Sequence, residues 1–182
     1  MSFVYVIMGV AACGKTTIGV ALAEKLNCPF YDGDDYHPEE NVAKMSRGIP
    51  LNDDDRAPWL ERLHQIIGGH LAHGETAVVA SSALKRKYRD LLSHGDPRVR
   101  FIYLRGDFDL IWRRIAARQD HYMKPSMLHS QFQTLEEPTT EEALWVDIDH
   151  DPETIVNNIL GCLSGPGVLE SPKDSHHQQK RK

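Results

Sequence analysis

Eight consecutive residues near the start of the chain, Gly9-Val10-Ala11-Ala12-Cys13-Gly14-Lys15-Thr16, fit the pattern G-x-x-x-x-G-K-[ST]. That spacing has a chemical reason. Gly9 and Gly14 let the backbone take conformations that a Cβ would block. The N–H groups between them, and those running on through Lys15, Thr16 and Thr17, can then converge on phosphate oxygens at a helix N-terminus, where the helix dipole also favours negative charge. Lys15 can reach the β- and γ-phosphates of ATP, and the Thr16 hydroxyl can ligate Mg2+. A glycine turn before a solvated lysine would give the same letters. Here, however, the pattern follows an apolar run and opens a helical one, as a phosphate cradle requires. Cys13, inside the loop, is either a thiol activated by the helix terminus and Lys15 or a small packing residue; packing is the simpler reading.

A cradle selects a nucleotide but not a reaction. The next acidic run, Asp32-Gly33-Asp34-Asp35, supplies carboxylates. Read as extended chain, its alternate residues face one side, so Asp32 and Asp34 both look into a cleft. One carboxylate can organise Mg2+ through its waters and the other can orient and deprotonate an attacking hydroxyl, because phosphoryl transfer gains mostly from positioning and charge neutralisation. Helix-capping aspartates are the plainer alternative, and the cradle upstream tilts the balance to catalysis. A guanine-nucleotide switch would need an N-K-x-D element, which the chain lacks. A mechanical ATPase would need an acid at the end of its third strand, where the chain reads Val78-Val79-Ala80-Ser81-Ser82. A small-molecule kinase remains. Arg56, Lys85, Lys87 and Arg89 are candidates to hold a carboxylate or the moving phosphoryl, arginine being suited to bidentate contact. Each is also compatible with a solvated surface. Arg113, Arg114 and Arg118 precede a loop that can act as a small lid over the ATP phosphates.

These residues need a frame. Residues 3–8 are an unbroken apolar run, the signature of a strand buried on both faces. Helical spacing follows at Ile18, Leu22 and Leu26, then strand 29–31, helices 38–46 and 53–73, and strand 76–80. Helix 85–93, strand 99–104, helix 108–118, loop 119–125, helix 126–135, strand 143–148 and a helix from Pro152 to about 163 complete the order. Strands alternating with helices predict an α/β fold: three α/β/α layers with a five-stranded parallel sheet. Ligands of such sheets bind beyond the carboxyl ends of the strands.

The chain has 182 residues, 41% hydrophobic and 26% charged, with a formal net charge of −5 and pI near 6.0. That charge argues against a nucleic-acid or membrane partner. Cys13, Cys28 and Cys162 form no disulfide or zinc pattern. No signal-peptide pattern opens the sequence, so a cytoplasmic, reducing location is expected. Residues 1–163 read as one kinase domain, and 164–182, rich in Gly, Pro, Ser, Lys, His and Gln, as a disordered tail.

With these segments in view, the sequence closely resembles the gluconokinase family, within the shikimate-kinase-like branch of P-loop kinases. The resemblance rests on Met8-Gly9-Val10, the run Phe30 through Pro38, Asn41, Lys44-Met45, the run Gly48 through Arg56, Pro58-Trp59-Leu60, Ser82-Ala83-Leu84-Lys85, Tyr88 through Leu92, His121, Gln131-Phe132 and Thr134-Leu135-Glu136. It spans about residues 3–163. It implies transfer from ATP to the 6-hydroxyl of D-gluconate, giving 6-phosphogluconate for the pentose phosphate pathway, with Mg2+ and often as a homodimer. Carried over residue by residue, Gly14, Lys15 and Thr16 serve phosphates and metal, Asp34 is the base and Asp32 a metal-shell acid. Arg56 and Lys85 contact the substrate, with His37 and Arg89 as further candidates. Arg118 closes from the lid, Arg114 serves ATP, and Pro152 lies near the adenine. Two segments depart from the family habit: Val-Ala-Ala-Cys where Val-Ser-Gly-Ser is common, and Ser81 where a cysteine commonly precedes the second serine. The alternatives are a shikimate kinase-like enzyme of the same chemistry and a nucleotide-binding regulator without catalysis.

Overall fold

The structure is a computed structural model that describes residues 2–117 and 125–164. The first strand, β1 (Val4–Met8), is buried at every position, and its alternating side chains feed two cores. Tyr5 and Ile7 point to one face of the sheet; Val4, Val6 and Met8 point to the other. Helix α1 (Lys15–Leu26) starts at the lysine of the cradle, with Gly14 before it in the left-handed region at φ 103°. Strand β2 (Phe30–Asp32) leads into a single 3-10 turn (Gly33–Tyr36), then α2 (Glu39–Ser46), α3 (Asp53–His73), β3 (Ala77–Ala80) and α4 (Arg86–Ser93). Strand β4 (Val99–Arg105), α5 (Phe108–Ala116), α6 (Pro125–Thr134), β5 (Ala143–Asp147) and α7 (Pro152–Ser164) follow.

The five strands form one sheet in the order β2-β3-β1-β4-β5, and every pairing is parallel. Val4 sits between Ala77 and Val99, which fixes the register of the three central strands. Ile18, Leu22, Ile111, Ile115, Ile155 and Ile159 cover one face from α1, α5 and α7. Trp59, Leu60, Leu63, Ile67, Tyr88 and Leu92 cover the other from α3 and α4. This is the expected three-layer arrangement, and it places the ends of β1, β2 and β3 side by side.

Two local details position the site. A reciprocal cap locks the start of α3: the Asn52 side chain accepts from Asp55 N at 2.8 Å, and the Asp55 carboxylate accepts from Asn52 N at 3.0 Å. Such a box satisfies two N–H groups that the helix leaves unpaired and fixes the approach of the chain. The second detail is the 3-10 turn after β2, which the sequence reading took as extended chain.

Candidate active site

The cradle is shaped by close approach. Gly9 has φ 144°, and a Cβ there would lie 2.9 Å from both Cys13 Sγ and the Leu104 carbonyl oxygen. Gly9 N donates to the Ser82 carbonyl at 3.3 Å, which ties the loop to the end of β3. Lys15 folds back along the loop, and its Nζ donates to the carbonyls of Gly9 (3.2 Å) and Val10 (3.0 Å). Ala11 N donates to Gln131 Oε1 of α6 at 2.6 Å. Ala12 holds a left-handed conformation at φ 60°, uncommon for a residue with a side chain. Cys13 is buried, and burial pushes its thiol up despite the nearby Lys15. It stays protonated and packs against the sheet, in line with the simpler of its two readings. Thr16 and Thr17 occupy the exposed first turn of α1.

Asp32 is the hub of the acidic cluster. Its Oδ2 accepts from the Thr16 hydroxyl at 2.7 Å, and its Oδ1 accepts from Asp34 N at 3.1 Å. Asp32 and Asp34 therefore come together through an N-cap on the 3-10 turn, not through strand alternation. The turn needs glycine at Gly33, because an added Cβ would run into the Ala80 carbonyl oxygen. The Gly33 carbonyl accepts from the buried Trp59 Nε1 at 2.7 Å. The chain is pinned between β3 and α3 and has to turn there. The Asp34 carboxylate is exposed and accepts no hydrogen bond among the described residues. A threonine hydroxyl beside one carboxylate suits Mg2+, which keeps several waters and takes one or two carboxylates together with phosphate oxygens.

The basic residues converge on Asp53, the first residue of α3. Lys85 Nζ reaches it at 3.0 Å, and Lys87 Nζ and the Tyr88 hydroxyl bond to it as well. The bonds from Lys87, Tyr88 and Lys85 hold its carboxyl well below the usual range. Asp53 in turn pushes the Lys85 pKa up, so both stay ionised. Arg56 donates to the Leu51 carbonyl at 2.5 Å, and its guanidinium lies 5.7 Å from the Tyr88 ring centroid. Lys44 of α2 pairs with Asp55 at 2.5 Å. His37 stacks on Trp59 with centroids 4.2 Å apart and planes 15° apart. Burial lowers its pKa; the Asp34 carboxylate pulls it up and Arg56 pushes it down.

Arg89, a sequence candidate for substrate contact, lies elsewhere. It is 3% exposed, and its Nη1 donates to the carbonyls of Glu136 (2.9 Å) and Ala83 (3.2 Å). A buried guanidinium needs such partners, and Arg89 finds them by bracing the β3–α4 loop against the segment after α6. That loop includes Ala83 at φ 43°. Spacing on α4 could not tell that Tyr88 turns its hydroxyl to Asp53 while Arg89, equally buried, turns to the Glu136 carbonyl. Lys87 was a candidate by its charge alone, and Asp53, Tyr88 and Gln131 had no assigned role beyond their places in the family pattern; tertiary contacts single them out.

The remaining candidates lie toward β4 and β5. Arg114 donates to the Ile148 carbonyl and is near enough to Cys13 to act on its thiol. Pro152 opens α7 beside Asp151, which accepts from Thr154 N at 3.0 Å. A cleft of about 380 Å³ lies beyond β4 and β5, lined by Arg105, Asp107, Arg113, Phe132, Asp147 and Asp149 among others. It includes neither a cradle residue nor Asp34. Arg118, His121 and most of the expected lid loop lie outside the described residues. Among the described residues, no helix is long and apolar enough to cross a membrane.

Comparison with known proteins gives this geometry its relatives. The shikimate kinase family pattern matches residues 11–164. The thermoresistant gluconokinase of Escherichia coli K12 is 46% identical over 162 residues, covering 88% of this chain and 93% of that protein. The gluconokinase of Arabidopsis thaliana is 39% identical, covering 88% and 92%. The crystal structure of a gluconokinase from Sinorhizobium meliloti 1021 superposes with a TM-score of 0.81 at 41% identity, covering 88% of this chain and 91% of that one. A shikimate kinase from Bacteroides thetaiotaomicron, at 21% identity and a TM-score of 0.65, shares the fold. With its cradle, its capped acids and relatives of this identity along most of its length, the chain belongs to the gluconokinase family of phosphotransferases.

Proposed function

We propose that this protein transfers the γ-phosphoryl group of ATP to the 6-hydroxyl of D-gluconate, giving 6-phospho-D-gluconate and ADP. The observation that carries the reading is the continuous link Thr16–Asp32–Asp34, which joins the first turn of the cradle helix to the exposed carboxylate. The loop N–H groups and Lys15 would bind the phosphates. Thr16 and Asp32 would hold Mg2+, which when bound supplies charge neutralisation on the phosphate oxygens. Asp34 accepts the proton of the 6-hydroxyl as its oxygen bonds to the γ-phosphorus and the bond to the ADP oxygen breaks. The acceptor's carboxylate fits the basic group formed by Arg56 and Lys85, with His37 alongside. Arg89 is a brace in this scheme, and Arg114, Pro152 and Arg118 remain candidates for the nucleotide side. A cytoplasmic homodimer is the accompanying expectation from the family.

The long segment from Asn52 to Leu60, with its reciprocal cap and Asp53 hub, favours gluconate over shikimate. The test is turnover: incubate the protein with Mg-ATP and a panel of sugar acids plus shikimate, and follow ADP release. Turnover on D-gluconate is expected. Turnover on shikimate alone would overturn the acceptor, and none on any acceptor would overturn the kinase reading.

A further inference from the structure

The Val10–Ala11 peptide is engaged at both ends by groups from outside it. Its carbonyl accepts from Lys15 Nζ at 3.0 Å, and its N–H donates to Gln131 Oε1 at 2.6 Å. Both partners are suggestive. Lys15 is the side chain expected on the β- and γ-phosphates, here resting on loop carbonyls. Gln131 presents an amide oxygen to a loop N–H of the kind a phosphoryl oxygen takes in such cradles. Gln131 lies 120 residues away in sequence, so the contact exists only because α6 packs over the loop. The packing is apolar: Leu128 is fully buried, and Phe132 lies 5.7 Å from Phe108 of α5 between ring centroids. The helix is thus held by its apolar face while one polar side chain reaches the cradle.

We propose that Gln131 is a placeholder for a phosphoryl oxygen. Its carboxamide oxygen satisfies the Ala11 N–H, and nucleotide binding displaces it as Lys15 turns from the loop carbonyls to the phosphates. Gln131 is then a positioning residue that sets nucleotide affinity and links the docking of α6 to occupancy of the loop. The proposal rests on the reading that this cradle binds nucleotide phosphates.

The experiment is calorimetric titration of the full chain with Mg2+ and a non-hydrolysable imido analogue of ATP. Removing a neutral competitor worth one ordinary hydrogen bond should make Gln131→Ala bind the analogue about three- to tenfold more tightly. In the nucleotide-free protein, the Ala11 amide of that variant should exchange its hydrogen faster than in the wild type. Gln131→Glu should do the opposite to affinity: a carboxylate holds the N–H more strongly and repels phosphate, so binding should weaken. Unchanged or weakened binding by Gln131→Ala would overturn the proposal. If that variant does not fold, unchanged or tighter binding by Gln131→Glu would do so. A wild-type protein that binds no nucleotide would instead sink the nucleotide reading beneath it.

Discussion

The two halves of the site are built differently. On the proposed phosphate side, Gly9 through Thr16 are contiguous, and Asp32, Asp34, Ser82 and Gln131 join them from elsewhere. On the acceptor side, Asp53 is bonded by residues 32 to 35 positions away, and His37 takes its place by stacking on Trp59. The phosphate side is a local backbone device, demanding because it needs specific dihedral angles. The proposed acceptor side is a charge network that exists only once α3 and α4 have packed. A local device tolerates side-chain change wherever the backbone does the binding. A network fails when its hub is neutralised.

Asp34, which stands where the halves meet, should separate them most sharply. Asp34→Ala should lower kcat by about 10²- to 10⁴-fold, the usual worth of a positioned general base, while nucleotide binding stays near wild type. Steady-state kinetics with equilibrium nucleotide binding would show this. A variant near the wild-type rate would remove Asp34 from the chemistry.

Asp53→Asn tests the hub. It keeps the shape but removes the charge that holds Lys85 and Lys87, in partly exposed pairs that are each weak alone. The KM for the acceptor should rise on the order of fivefold while the KM for ATP is unchanged. An equal rise in both would mean that the two sides are not separable.

The smallest effect is on pH dependence. His37 has its folded pKa lowered by burial from an ordinary value of 6.5. Below that value the unfolded chain takes up a proton that the folded chain resists, so this contribution to stability is present above 6.5 and is lost as the pH falls below it. His37→Gln should flatten the slope of the denaturant midpoint against pH in that acid range. Identical slopes for the two proteins would show that His37 does not titrate as its surroundings require.

Much of this was legible in the residues. The apolar run of β1 announced a central strand because both of its faces are covered. Helical periodicity placed α3 at residues 53–73, and the alternation of elements gave the parallel sheet. The cradle was readable because its function depends on glycine and lysine at fixed separations. The pairing of Asp32 with Asp34 was anticipated, but its geometry was not: it comes from an N-cap on a 3-10 turn whose first residue, Gly33, lies so close to the Ala80 carbonyl that a Cβ would not fit. Arg89 shows the opposite failure. An arginine on a basic helix reads as exposed, and the carbonyls of Ala83 and Glu136 with the Glu142 carboxylate make its burial tolerable.

The sequence alone determined the succession of strands and helices along the chain, the cradle motif and the supply of carboxylates and cations, since each depends on nearby residues and the intrinsic limits of the backbone. The tertiary structure decided which cations gather on Asp53, that Arg89 turns inward and that Gln131 reaches Ala11. Those outcomes depend on how helices pack against the sheet, and packing is set by shape and burial across the whole chain.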